Sequence, residues 1–125
     1  MKHFSNNEFA CKDGCGLNKA PSPILLQALE ELRELCGNRP VTIISGWRCA
    51  ANNARSGGAK NSQHLFGGAA DLYVAGMPIL AVYRAAVTVK AFSGFGLSKS
   101  WLHVDVKAGP RRWWRYDPRG RVVAW

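Results

Sequence analysis

A chain of 125 residues has the size of one domain with one core, and 47% hydrophobic content excludes a disordered chain. No apolar run approaches the ~20 residues that cross a bilayer, and the N-terminus MKHFSNNEFACKDG has no apolar centre of the kind a secretion signal needs. The net charge of +9, from 17 basic and 8 acidic residues, favours polyanionic partners such as nucleic acid, anionic lipid or acidic wall polymers without choosing among them.

Residues 1–20 are polar and irregular, and His3 among them reads as a solvated residue. The next segment, PSPILLQALEELRELCGNRP, predicts a helix. Ser22 is a good N-cap, Pro23 suits the first turn, and Leu25, Leu26, Leu29 and Leu32 keep helical spacing before Gly37 and Pro40 end it. VTIIS, 41–45, reads as a buried strand because it is short and rich in β-branched residues. A long polar loop follows, GWRCAANNARSGGAKN, with room for a short helix near residues 50–54. DLYV, 71–74, predicts a second strand, and MPILAVYRAAVTVKAF, from Met77, a second helix. SGFGLS reads as a glycine-rich turn. WLHVDVK, 101–107, alternates as a third strand, and the tail predicts one or two more strands around a turn at Asp117, Pro118 and Gly120. With no repeat and no linker, the order predicts a single domain over 1–125. Its fold class is α+β, a small antiparallel sheet with helices packed on one side.

Side chains alternate along a strand, so His103 and Asp105 share one face of WLHVDVK and are expected to face a cleft or solvent, while Val104 and Val106 turn to the core. The stretch SQHLFGGAAD supplies His64 and Asp71 around two glycines and two alanines, small residues that suit a sharp turn of backbone close to an ion. Two imidazoles and one carboxylate, His64, Asp71 and His103, make a three-ligand set for one Zn2+ that leaves a fourth position for water. Zinc lowers the pKa of such a water to about 7 and polarises a carbonyl, which points to amide hydrolysis. The plainer reading of each histidine is a surface or hydrogen-bonded core residue.

SQHLFGGAAD fits S-x-H-x-x-G-x-A-x-D at Ser62, His64, Gly67, Ala69 and Asp71. SGWR, 45–48, lies upstream and the H-x-D of LHVDV downstream. In these motifs and their order the chain resembles the zinc D-Ala-D-Ala carboxypeptidase family, in the superfamily that also holds phage L-alanyl-D-glutamate endopeptidases and the Hedgehog signalling domain. The likeness is strongest to a small single-domain branch and covers roughly residues 8–116. It implies a Hedgehog/DD-peptidase-like fold and zinc bound by His64, Asp71 and His103. It also implies that Arg48 contacts a substrate carbonyl or carboxylate, a task suited to its planar fork, and that Ser62 helps hold the substrate. For Ser62 a turn-stabilising hydroxyl is the equal alternative. Many family members carry a general-base glutamate three residues before the last histidine, where this chain has Ser100. Asp105 is the remaining carboxylate. It is either the base or the acceptor that fixes a ligand histidine.

Two other features stand apart. RRWWRY, 111–116, reads as a strand with one tryptophan in the core and arginines on an anionic surface. Cys11, Cys15, Cys36 and Cys49 lack zinc-finger spacing, which leaves buried free thiols, a disulfide or, last, a structural metal; Cys49 as a nucleophile is a weaker idea than the metal site. The sequence as a whole therefore predicts a monomeric zinc metallopeptidase, made in the cytoplasm as a phage or prophage endolysin would be and acting on peptidoglycan stem peptides of the bacterial cell wall. A non-catalytic zinc-containing wall-binding or virion module is the alternative. No nucleic-acid reading motif is present, so charge alone does not predict specific nucleic-acid binding.

Overall fold

The computed structural model of the chain describes Phe4, residues 21–46 and residues 68–123. The first helix, α1 (Pro23–Leu35), begins as its sequence signals require: the Leu25 N–H donates to Ser22 Oγ at 3.4 Å and Pro23 occupies the first turn. Leu25, Ala28, Leu29 and Leu32 form its buried stripe, with Leu26 only partly covered. At its end Gly37 adopts φ 72°, and the Gly37 and Asn38 N–H groups donate to the Glu34 and Arg33 carbonyls. Cys36, beside this cap, is a buried free thiol whose pKa burial pushes up against the opposing charge of Arg39; the other cysteines and the short helix expected near residues 50–54 lie outside the described residues.

Strand β1 (Val41–Ser45) is where it was expected. Strand β2 (Ala69–Val74) starts two residues before the predicted one, because Ala69 and Ala70 already pair with Asp105 and Val104. Helix α2 (Ile79–Val87) is shorter than the 77–92 segment. Pro78 precedes it in an extended conformation (φ −60°, ψ 144°), and the chain leaves it at Thr88, whose hydroxyl donates to the Ala85 carbonyl. Next come β3 (Gly94–Leu97), β4 (Leu102–Asp105), β5 (Arg112–Tyr116) and β6 (Val122–Val123). The turn between β5 and β6 uses Asp117 as its sequence predicts, the Arg119 and Arg121 N–H groups both donating to its Oδ1 at 2.9 Å.

Two expectations are corrected. The glycine-rich segment SGFGLS is not a turn but contains β3. The sheet is mixed rather than antiparallel. Its order is β1-β2-β4-β3-β5-β6, and the β3–β5 pair is parallel while the other neighbours are antiparallel. The reason is the path of the chain: after β4 it passes the end of β3 and returns on β3's far edge.

The register divides the sheet into two faces. Val41, Ile43, Ala70, Leu72, Val74, Phe95, Leu102 and Val104 share one face and one buried cluster with Leu25, Leu29 and Leu32 of α1, Val82 and Ala86 of α2, and Phe4. Both described helices therefore cover this face, as the sequence suggested. The opposite face presents Ala69, Asp71 and Tyr73 of β2, His103 and Asp105 of β4, Gly94 and Gly96 of β3, and Arg112, Trp114 and Tyr116 of β5. Full burial of a leucine is worth about 1.5–3 kcal/mol. Leu72→Ala, at a position with no exposure, is expected to lower unfolding stability by about 2–5 kcal/mol. Tyr73→Ala, one residue on and 41% exposed on the other face, should cost under about 1 kcal/mol. Urea unfolding of the two variants tests this, and equal losses would contradict the division of faces.

Candidate active site

The antiparallel register of β2 and β4 sets Asp71 directly opposite His103, and the two-residue period of β4 sets Asp105 beside His103 on the same face. The imidazole is held at both nitrogens. His103 Nδ1 lies 2.9 Å from Asp71 Oδ1, and Nε2 lies 2.9 Å from Asp105 Oδ2. His103, Asp71 and Asp105 are all buried, Asp105 at 1% exposure, so of the cleft or solvent expected for this strand face, open solvent is corrected.

Asp105 is further engaged at its other oxygen. The Arg112 guanidinium pairs with Oδ1 through Nη2, and the Lys107 N–H donates to the same oxygen at 3.2 Å. The Ser93 hydroxyl lies 3.4 Å away while donating to the Lys107 carbonyl at 2.5 Å. The third side of the imidazole is covered by Trp114, whose ring centroid is 5.0 Å from that of His103. Trp114 Nε1 is buried and finds no hydrogen-bond partner among the described residues.

Charge follows this geometry. Burial, the largest influence on His103, opposes its protonation, but the hydrogen bonds and charges of Asp105 and Asp71 outweigh it and raise its pKa above the ordinary histidine value. Burial likewise pushes the Asp105 carboxyl up, yet His103, Arg112 and the Lys107 N–H together hold it below the usual range. Both carboxylates thus favour the protonated form of the imidazole, one at each ring nitrogen.

Asp71 Oδ1 and His103 Nδ1 are an oxygen and a nitrogen donor side by side, while Nε2 is fixed by a carboxylate, the arrangement in which a histidine ligates zinc. Among the described residues no three His, Cys, Asp or Glu side chains form a metal cage by themselves, and the third expected ligand, His64, lies outside the described residues, as do Arg48 and Ser62. Of the residues singled out in the sequence, the structure brings together Asp71, His103 and Asp105. It adds Arg112 and Trp114, from the run RRWWRY, and the bare positions Gly94 and Gly96. The arginines 111 and 112 are not surface groups awaiting an anion: Arg111 donates to the Val87 and Val89 carbonyls and Arg112 to Asp105. Trp113, on the helix-side face, stacks on Phe95 at 5.9 Å while Trp114 faces the site. The signal that would have found them is the alternation R-x-W-x-Y beside an equally alternating G-x-G.

The fold and this centre define a small α+β protein with a buried histidine held between two carboxylates, on the sheet face away from the two described helices. The chain belongs to the Peptidase M15 family, whose model matches residues 2–105. It is 31% identical over 98 residues to a zinc D-Ala-D-Ala carboxypeptidase of Streptomyces albus G, covering 77% of this chain and 38% of that protein. It is 36% identical over 103 residues to the peptidoglycan L,D-endopeptidase MepK of Escherichia coli K12, covering 77% of this chain and 56% of that one. A probable peptidoglycan L,D-endopeptidase MepK of Haemophilus influenzae is 33% identical over 101 residues, with 74% and 53% covered. The chain thus spans roughly two fifths to just over half the length of these relatives.

Two pH effects follow. His103, with its raised folded pKa, stabilises the metal-free protein fully below the unfolded value of about 6.5, and the contribution is lost as pH rises through the folded value. Asp105 acts oppositely: its contribution is present above the unfolded value of about 3.9 and is lost as pH falls through the depressed one. Because a metal at Nδ1 competes with a proton there, zinc binding is expected to weaken as pH falls. Calorimetric titration with zinc at two pH values measures this, and an affinity independent of pH would contradict it.

Proposed function

We propose that the chain is a zinc-dependent peptidase that hydrolyses an amide bond in the stem peptide or cross-link of peptidoglycan. The observation that carries this reading is the buried imidazole of His103, fixed by Asp105 at Nε2 and turned at Nδ1 toward Asp71. His64, Asp71 and His103 would hold one ion, which when bound supplies Lewis-acid polarisation of the scissile carbonyl and a water of lowered pKa. Arg48 is assigned to the substrate's carbonyl or carboxylate, and Ser62 to holding the substrate beside it, both from the family motif. The finer likeness to Hedgehog/DD-peptidase folds, and a phage endolysin acting as a monomer on the wall after release from the cytoplasm, belong to the same proposal. Among the described residues no helix is long and apolar enough to cross a membrane.

The geometry favours one of the two roles open to Asp105. Its oxygens face His103, Arg112 and the Lys107 N–H, so it is engaged on the far side of the imidazole from Asp71. That suits a carboxylate that orients the ligand, and it leaves the proton-accepting role poorly served. The residue in the family's general-base position, Ser100, is exposed in the turn before β4. This second fact favours the alternative, a zinc-containing module that binds wall material without cutting.

Digestion of purified peptidoglycan, followed by mass spectrometry of released peptides, separates the readings. Cleavage that a chelator abolishes and that His103→Ala reduces to background is expected of the peptidase; a zinc-loaded wild type that releases nothing supports the binding module. Asp105→Asn is expected to weaken zinc binding about 10–100-fold, with activity recovered by added zinc. Unchanged zinc affinity with lost cleavage would return Asp105 to the role of base.

A further inference from the structure

Strand β3 lies between β4 and β5, so residues of those two strands are separated by two strand spacings, about 9.6 Å. Nevertheless Asp105 of β4 is paired with Arg112 of β5, and the His103 and Trp114 rings lie 5.0 Å apart. The side chains meet over β3 because both of its residues on this face are glycines. A Cβ on Gly94 would lie 2.5 Å from Asp105 Cγ and 2.6 Å from Arg112 Nη2, and one on Gly96 would lie 2.5 Å from Trp114 Nε1. The Arg112 guanidinium also sits over the Trp114 ring, 5.6 Å from its centroid. His103, Asp105, Arg112 and Trp114 thereby close a ring of four side chains across a strand that contributes none. The segment matched by the family model ends at Asp105, before Arg112 and Trp114.

We propose that Arg112 is a positioning residue of the metal centre: by holding Asp105 across the bare strand β3, it fixes the His103 imidazole with Nδ1 toward Asp71. The other donors on Asp105 Oδ1, the Lys107 N–H and the more distant Ser93 hydroxyl, belong to the turn after β4 and the approach to β3. Arg112 alone reaches it as a charged group from β5, and Trp114 limits where its guanidinium can go. Without Arg112 the carboxylate loses its ion pair while keeping space to rotate over Gly94, and the imidazole loses a fixed orientation.

The inference rests on the metal reading, and its test keeps the two apart. Zinc affinity of the full chain is measured by competition with a chromophoric chelator at fixed pH for wild type, Arg112→Met and Arg112→Lys. The His103 ring nitrogens of the zinc-loaded protein are followed by 15N NMR, and melting of the metal-free protein serves as the folding control. Arg112→Met is expected to bind zinc about 10–100-fold more weakly and to lose the sharp, exchange-protected Nε2–H signal. Arg112→Lys, which returns a charge without the planar fork, is expected to recover part of both. If Arg112→Met does not fold, Arg112→Gln replaces it; Arg112 is part-exposed, so loss of folding is not the expected result. Zinc affinity within about twofold of wild type and unchanged ring signals would overturn the proposal, even if the melting temperature falls. A wild type that binds no zinc would instead overturn the metal reading beneath it.

Discussion

Asp105 and Arg112 reach each other over the backbone of a strand that lies between them, and the site depends on that reach. A residue with a side chain at position 94 would occupy the space of the ion pair, and one at 96 the space of the Trp114 indole. Glycine weakens a strand, by roughly 0.5–1 kcal/mol at each position. Here it is confined to alternate positions on one face, while Phe95 between them is fully buried among the helices. The same short strand therefore anchors the core on one side and clears ground for charge on the other.

The two faces of the sheet stand in different relations to water. On the helix side, stability comes from apolar area removed from solvent. On the other side, carboxylates and an imidazole are buried, which costs several kcal/mol per charge unless each is paired. Asp105 is satisfied by His103, Arg112 and the Lys107 N–H, and His103 by Asp71 and Asp105. Such a set behaves as a unit, because removing one member leaves another buried charge unpaired. The imidazole consequently has little freedom before any ligand arrives, and little ordering remains for binding to impose.

What could be read from the sequence was what local chemistry determines. Ser22-Pro23 and the leucine stripe fix α1, β-branched residues mark β1, and Asp117 with Gly120 marks the last turn. Alternation alone put His103 and Asp105 on one face, and the motif containing Asp71 pointed to a shared centre. Alternation could not say that this face is buried or that Asp105 already has its partners. Strand β3 was hidden because paired glycines ordinarily signal a turn, and its reason for glycine lies on a neighbouring strand distant in sequence. The parallel pairing was hidden for the same reason. The run RRWWRY looked like a basic surface because its net charge is conspicuous, whereas the structure divides it residue by residue between two environments.

The chain between β4 and β5, residues 106–111, passes one end of β3 and is stitched there on both sides: the Ser93 N–H donates to the Asp105 carbonyl at 2.8 Å, and the Arg112 N–H to the Ser93 carbonyl at 2.7 Å. This connection works as a ruler. Adding or deleting one residue within it would slide β5 by one place and exchange its faces. Trp113 would then face the imidazole, and Arg112 and Trp114 would be carried toward the helices. Side-chain chemistry in this segment is free to vary in a way its length is not. An inserted residue far from the histidine would remove Arg112 and Trp114 from its surroundings together.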